Sequence, residues 1–133
     1  MKKNFVVDSP VEVMVDDCLY DLHNSYDFIT LEMDIESKAV ILLFSETDFN
    51  RRESSAKTLS IKFRGVDYFE LSPNFVKNFA VDLDEIGYKS PVDRNVDWLI
   101  GENKSSADDH MIFRFTNDEF VRIHADGAYI SHD

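Results

Sequence analysis

Cysteine occurs once in the 133 residues, at Cys18. That excludes an intrachain disulfide and fits a reducing compartment. With only 4 glycines and 3 prolines, the chain has few candidate flexible linkers. Basic residues are also scarce, 14 against 26 acidic ones, for a formal charge of -12. Such a surface repels phosphate polymers and anionic headgroups, which argues against nucleic acid or membrane as a partner and favours a cationic one. The same charge also serves plain solubility.

No apolar stretch approaches the ~18 residues of a spanning helix. The run behind Met1-Lys2-Lys3 stops at Asp8 and Pro10, short of the ~7 to 15 apolar residues of a secretory signal. A cytoplasmic location is the expectation. Glycine-rich phosphate loops, a GxSxG elbow and CxxC pairs are missing, so an enzyme is disfavoured and no cofactor is expected.

What the chain does have is 44% hydrophobic and 13% aromatic residues, enough for one core. A single domain spanning residues 1–133 is expected, burying roughly two thirds of the unfolded chain's surface. Ser9-Pro10-Val11-Glu12 reads as a capped helix start. Val11, Met14, Val15, Cys18, Leu19 and Leu22 then recur at helical spacing, which predicts one amphipathic helix from about Pro10 to His23 with Cys18 on its buried face.

From Asp27 onward the period is two. Ile29, Leu31, Met33 and Ile35 alternate with polar residues, and the apolar run 39–44 follows a Ser37-Lys38 turn. A two-residue loop there pairs Ile35 with Val40, Met33 with Leu42 and Leu31 with Phe44. Residues 46–57 read as a long exposed loop, in which Phe49 beside Arg51 and Arg52 would suit a protein contact, or would anchor the loop on the sheet. Phase slips near Gly65 and Glu85 predict bulges. The other aromatics, Tyr68, Phe69, Phe75, Phe79, Tyr88 and Trp98, are expected mostly in the core.

The last hairpin is the most legible segment. Met111, Phe113 and Phe115 alternate with polar or outward positions, as do Val121, Ile123 and Ala125, around an Asn117–Glu119 turn. Opposing Phe115 to Val121 and Phe113 to Ile123 puts all the apolar residues on one wall. Arg114, Arg122, His124 and His110 then share the second face. They would pair with Asp82 and Asp84 of the preceding strand, or form a site for an anion or an acidic peptide. His110 and His124, with Asp126 opposite His110, could also hold a divalent metal, although no HxxxH or HExxH spacing supports it.

The run Ile61-Lys62-Phe63-Arg64-Gly65-Val66-Asp67-Tyr68-Phe69-Glu70-Leu71-Ser72, with the hairpin from Asp109 to Ala125, resembles small acidic bacterial proteins. Some of these are immunity proteins, which neutralise a toxin by binding it. The resemblance implies a protein-binding role and carries no functional residues over. The fold expected is α+β: an N-terminal helix packed on a curved antiparallel sheet of six or seven strands, as a sandwich or half-barrel. The function expected is non-catalytic binding of a cationic protein through an acidic face, with Arg114, Arg122, His124, Phe49, Arg51 and Arg52 as candidate binding residues. A metal-dependent enzyme and a module that homodimerises through a sheet edge are the alternatives.

Overall fold

The computed structural model describes residues 1–47, 58–75 and 82–132. They form ten strands in two sheets: β1 (Lys2–Lys3), β2 (Val6–Val7), β3 (Glu12–Val15), β4 (Cys18–Asp21), β5 (Tyr26–Asp34), β6 (Ala39–Glu46), β7 (Thr58–Leu71), β8 (Leu83–Lys89), β9 (His110–Phe115) and β10 (Phe120–His132). The larger sheet runs β5-β6-β7-β10-β9-β8, with β1 added in parallel to the far half of β10, and it is a curled antiparallel half-barrel. The smaller sheet is β2-β3-β4.

Three bulges accompany the curl. Ile29 is extra opposite β6, Asp67 opposite β10 and Asp84 opposite β9. An unpaired extra residue bends its strand and increases the local twist. The slips expected near Gly65 and Glu85 are the second and third of these. Gly65 has φ +65°, and a Cβ there would fall 2.3 Å from Asp126 Oδ2, so no larger residue fits without displacing it.

The expected helix over residues 10–23 is absent. Those residues build the β3–β4 hairpin, closed by Asp16 and Asp17 at φ 48° and 64°. Two successive left-handed residues make the two-residue loop whose twist matches a hairpin, and Val15 pairs with Cys18 across it. Val13 and Val15 point inward at period two, whereas Cys18 and Leu19, expected on a buried helical face, are exposed. Ser9 and Glu12 do interact, Ser9 Oγ to Glu12 Oε1 at 2.9 Å, but across a turn in which the Asp8 N–H donates to the Glu12 carbonyl. Contacts that would cap a helix therefore close a turn instead.

The small sheet covers the half-barrel where the helix was expected to pack. Val13, Val15 and Leu22 join Phe28, Phe44, Leu59, Phe113 and Phe115 in one hydrophobic cluster. Each such side chain contributes about 1.5 to 3 kcal/mol on burial. Phe28 lies at the centre, its ring 5.5 Å from that of Phe44 and 5.0 Å from that of Phe115.

Two registers differ from expectation by two residues, a shift that keeps every side chain on its face. Met33 pairs with Val40 and Leu31 with Leu42, leaving Ile35 in the turn and 82% exposed. The Ile29 bulge turns Tyr26 and Phe28 inward and Ile29 outward. In the last hairpin Phe113 pairs with Val121 and Met111 with Ile123. Its loop is Thr116-Asn117-Asp118: the Phe115 N–H donates to the Glu119 carbonyl, and Asp118 is left-handed at φ 66°.

Candidate binding face over the C-terminal hairpin

Met111, Phe113, Phe115, Val121, Ile123 and Ala125 face inward and are fully buried, as their alternation predicts. The second face is not open. The connection from Ser90 to Asp109 and the bulged end of β7 lie over it, so Ile112 and Arg122 are also 0% exposed. Arg122, expected outside among aspartates, is buried. Its Nε donates to His110 Nδ1 at 2.9 Å and its Nη2 to the Ser90 carbonyl at 2.9 Å, while Nη1 has no partner. Burial lowers the guanidinium's affinity for its proton, and nearby Arg94 lowers it further.

His110 is stacked on Tyr68, with ring centroids 4.3 Å apart. Accepting a bond at Nδ1 fixes its proton on Nε2. Burial, then Arg122, then His124 hold its imidazole below the ordinary histidine range. His124 reaches Asp67 Oδ1 at 2.7 Å and the Ala107 carbonyl at 3.1 Å. Its ring is 5.9 Å from that of His110. Asp126, expected opposite His110, lies over Gly65 instead. Among the described residues no group of three or more His, Cys, Asp or Glu side chains is placed to hold a metal ion.

Arg114 pairs with Asp97 at 3.3 Å and Asp118 at 3.6 Å, not with Asp82 or Asp84. Arg94 adds a fork to Tyr68 Oη and Glu70 Oε1, both at 2.9 Å. Burial of Glu70 opposes its ionisation, but the bonds from Tyr68 and Arg94 prevail and hold its carboxyl below the usual range. The arginines of this region are thus spent on holding the connection down, and little cationic character is left outside. Phe49, Arg51 and Arg52 lie outside the described residues.

What the connection presents outward is Trp98, expected in the core and in fact 86% exposed at φ 60°. It borders a groove of about 500 Å³ shared with Pro10, Glu85, Asp97, Leu99 and Arg114. Pro10, Glu85 and Leu99 also line a second groove of about 500 Å³, which extends past Asp8 to Glu102. Glu102 is committed internally, to Lys3 at 3.0 Å, Tyr88 Oη at 2.7 Å and the Val7 N–H at 2.9 Å. Asp8 and Glu85 make no ion pair among the described residues. The chain matches no protein-family model, no curated protein and no solved structure.

The backing of this face explains its shape. Gly87 of β8 lies under the connection, where a Cβ would meet Leu99 Cβ at 2.7 Å and the Ile100 carbonyl at 2.9 Å. That close approach lets Tyr88 and Ile100 exchange backbone bonds at 2.9 and 3.0 Å, covering the β8 edge. One signal in the sequence pointed to Trp98: an apolar triplet, 98–100, isolated in a polar stretch. Leu99 and Ile100 anchor it and the tryptophan is left over.

Proposed function

We propose that this chain is a non-catalytic domain that binds a cationic protein, most concretely as an immunity-type inhibitor of a cationic toxin. The supporting observation is Trp98, which combines a solvent-facing indole with left-handed backbone and, among the described residues, carboxylates without an ion pair, Glu85 on its own groove and Asp8 on the adjoining one. A non-glycine residue in that conformation costs about 1 kcal/mol or more, and an exposed indole forgoes its burial. Contact with a partner would offset both, and tryptophan is the residue type most enriched where interfaces concentrate their energy. The charge of -12 would steer a basic partner and speed its association.

Trp98 is the only tryptophan, so its fluorescence reports directly on this face. A basic protein captured from the native host should shift Trp98 emission to the blue. It should leave at about 1 M salt, where the Debye length falls to ~3 Å, and should not be retained by Trp98→Ala. Retention that ignores both salt and the substitution overturns the reading.

A further inference from the structure

At the opposite end of the sheet from β8, strand β5 pairs with β6 on one side, and among the described residues no strand or bridge meets residues 30–34 on the other. Past the Ile29 bulge the strand leaves the core, and Glu32, Met33 and Asp34 are all exposed. On the concave face Met33 and Ile35 open into an apolar cleft of about 260 Å³ with Val66 and Phe69. On the other face stand Glu32 and Asp34, with Asp27 before the bulge and Glu36 in the turn. Of these four carboxylates, Asp34 caps the turn by accepting the Glu36 and Ser37 N–H groups, and none makes an ion pair among the described residues.

We infer that the outer edge of β5 takes up an extended, basic strand of a partner protein, in which lysine or arginine alternates with apolar residues. Strand addition supplies main-chain hydrogen bonds as the affinity term, and pockets for alternate side chains as the specificity term. Here the apolar side chains of the added strand enter the Met33–Phe69 cleft, and its cations lie along Glu32 and Asp34. Charge decides against a second copy of this chain, because antiparallel β5–β5 pairing sets carboxylates against carboxylates, which is destabilising across strands. The same acids would guard a bare edge against aggregation, and the test separates guarding from binding. The inference rests on the reading of the chain as a binder of cationic protein, but it concerns a different surface from Trp98.

The probe is a peptide as long as β5, 9 residues, alternating lysine and valine. Two controls accompany it: the same peptide with a central proline, which cannot pair, and a glutamate–valine analogue. Backbone amide NMR with hydrogen exchange should show slowed exchange and shifted resonances confined to residues 30–34 and the cleft. The glutamate analogue should not bind, and the proline peptide should give no protection. Glu32→Lys with Asp34→Lys, both exposed, should weaken the lysine peptide by about tenfold or more, while Trp98→Ala should leave its binding unchanged. Equal binding of the proline peptide would reduce the effect to diffuse attraction. Absence of protection on β5, or self-association of the free chain through β5, would overturn the inference outright.

Discussion

The β3–β4 and β9–β10 hairpins are both closed by aspartates held in left-handed backbone, yet they owe their stability to different sources. In β9–β10 both faces are covered, and Met111, Ile112, Phe113, Val121, Arg122 and Ile123 are all fully buried. There the register follows from what must be kept from water, and the loop adapts to it. In β3–β4 only one face is covered. Val13 and Val15 are buried while Val6 and Leu19 on the other face meet solvent, so the two-residue loop carries a larger share of the specification. Sensitivity should accordingly be concentrated in the side chains of the C-terminal hairpin and in the backbone of the N-terminal one.

Arg122 gives the largest expected effect. Arg122→Ala leaves a cavity and strips buried acceptors, His110 Nδ1 and the Ser90 carbonyl, of their donor. A loss of about 3 kcal/mol in urea unfolding is expected. Arg122→Met keeps most of the volume and also removes a buried charge that no carboxylate contacts directly, so it should cost clearly less. If the two variants are equally unstable, the hydrogen-bonded clamp rather than packing holds the connection. If Arg122→Ala lies within 0.5 kcal/mol or so of the parent, the clamp does nothing.

The pH dependence of the same clamp is smaller. His110 must be neutral to accept from Arg122, and burial, with Arg122 and His124 beside it, depresses its proton affinity in the fold. As pH falls, the unfolded chain therefore takes up this proton first. Its contribution is complete above the ordinary histidine value of about 6.5 and is lost as pH drops from there through the folded value. Unfolding free energy should decline as pH falls below about 6.5, and His110→Gln, which keeps an acceptor without titrating there, should flatten that part of the curve. A parent and variant with parallel profiles would remove His110 from the account.

The difference between the hairpins also explains what could be read in advance. Alternation from Met111 to Ala125 placed the inner wall correctly, because side-chain period survives a shift of two residues in register. The same argument could not foresee that residues 90–109 would cover the outer wall, since that depends on Gly87 admitting Leu99 and on long-range bonds from Arg122, Arg94 and His124. Arg122 was therefore expected in water and Trp98 in the core, and the connection reversed both. In residues 10–23 two patterns competed. Val11, Met14, Val15, Cys18 and Leu22 fit a helix; Val11, Val13 and Val15 fit a strand, and the β-branched residues together with the Asp16-Asp17 pair were the deciding signals. A bulge at Ile29 likewise escapes a period count, because it changes which residues face inward without any glycine to mark it.

A substitution at Asp17 sharpens the contrast with the smallest effect and the clearest sign. Asp17 sits at φ 64° as the second residue of a two-residue loop, the position where that turn type favours glycine. An L-residue in this region bears a steric cost of roughly 1 kcal/mol that glycine escapes. Asp17→Gly also separates two adjacent carboxylates at the tip of the turn. A gain of about 0.5 kcal/mol is expected, read as a higher urea midpoint at unchanged slope. Were residues 10–23 a helix instead, the same glycine would sit in its middle and cost about 1 kcal/mol relative to a good helix former. The direction of the midpoint shift thus distinguishes the two architectures with one variant, without recourse to any partner.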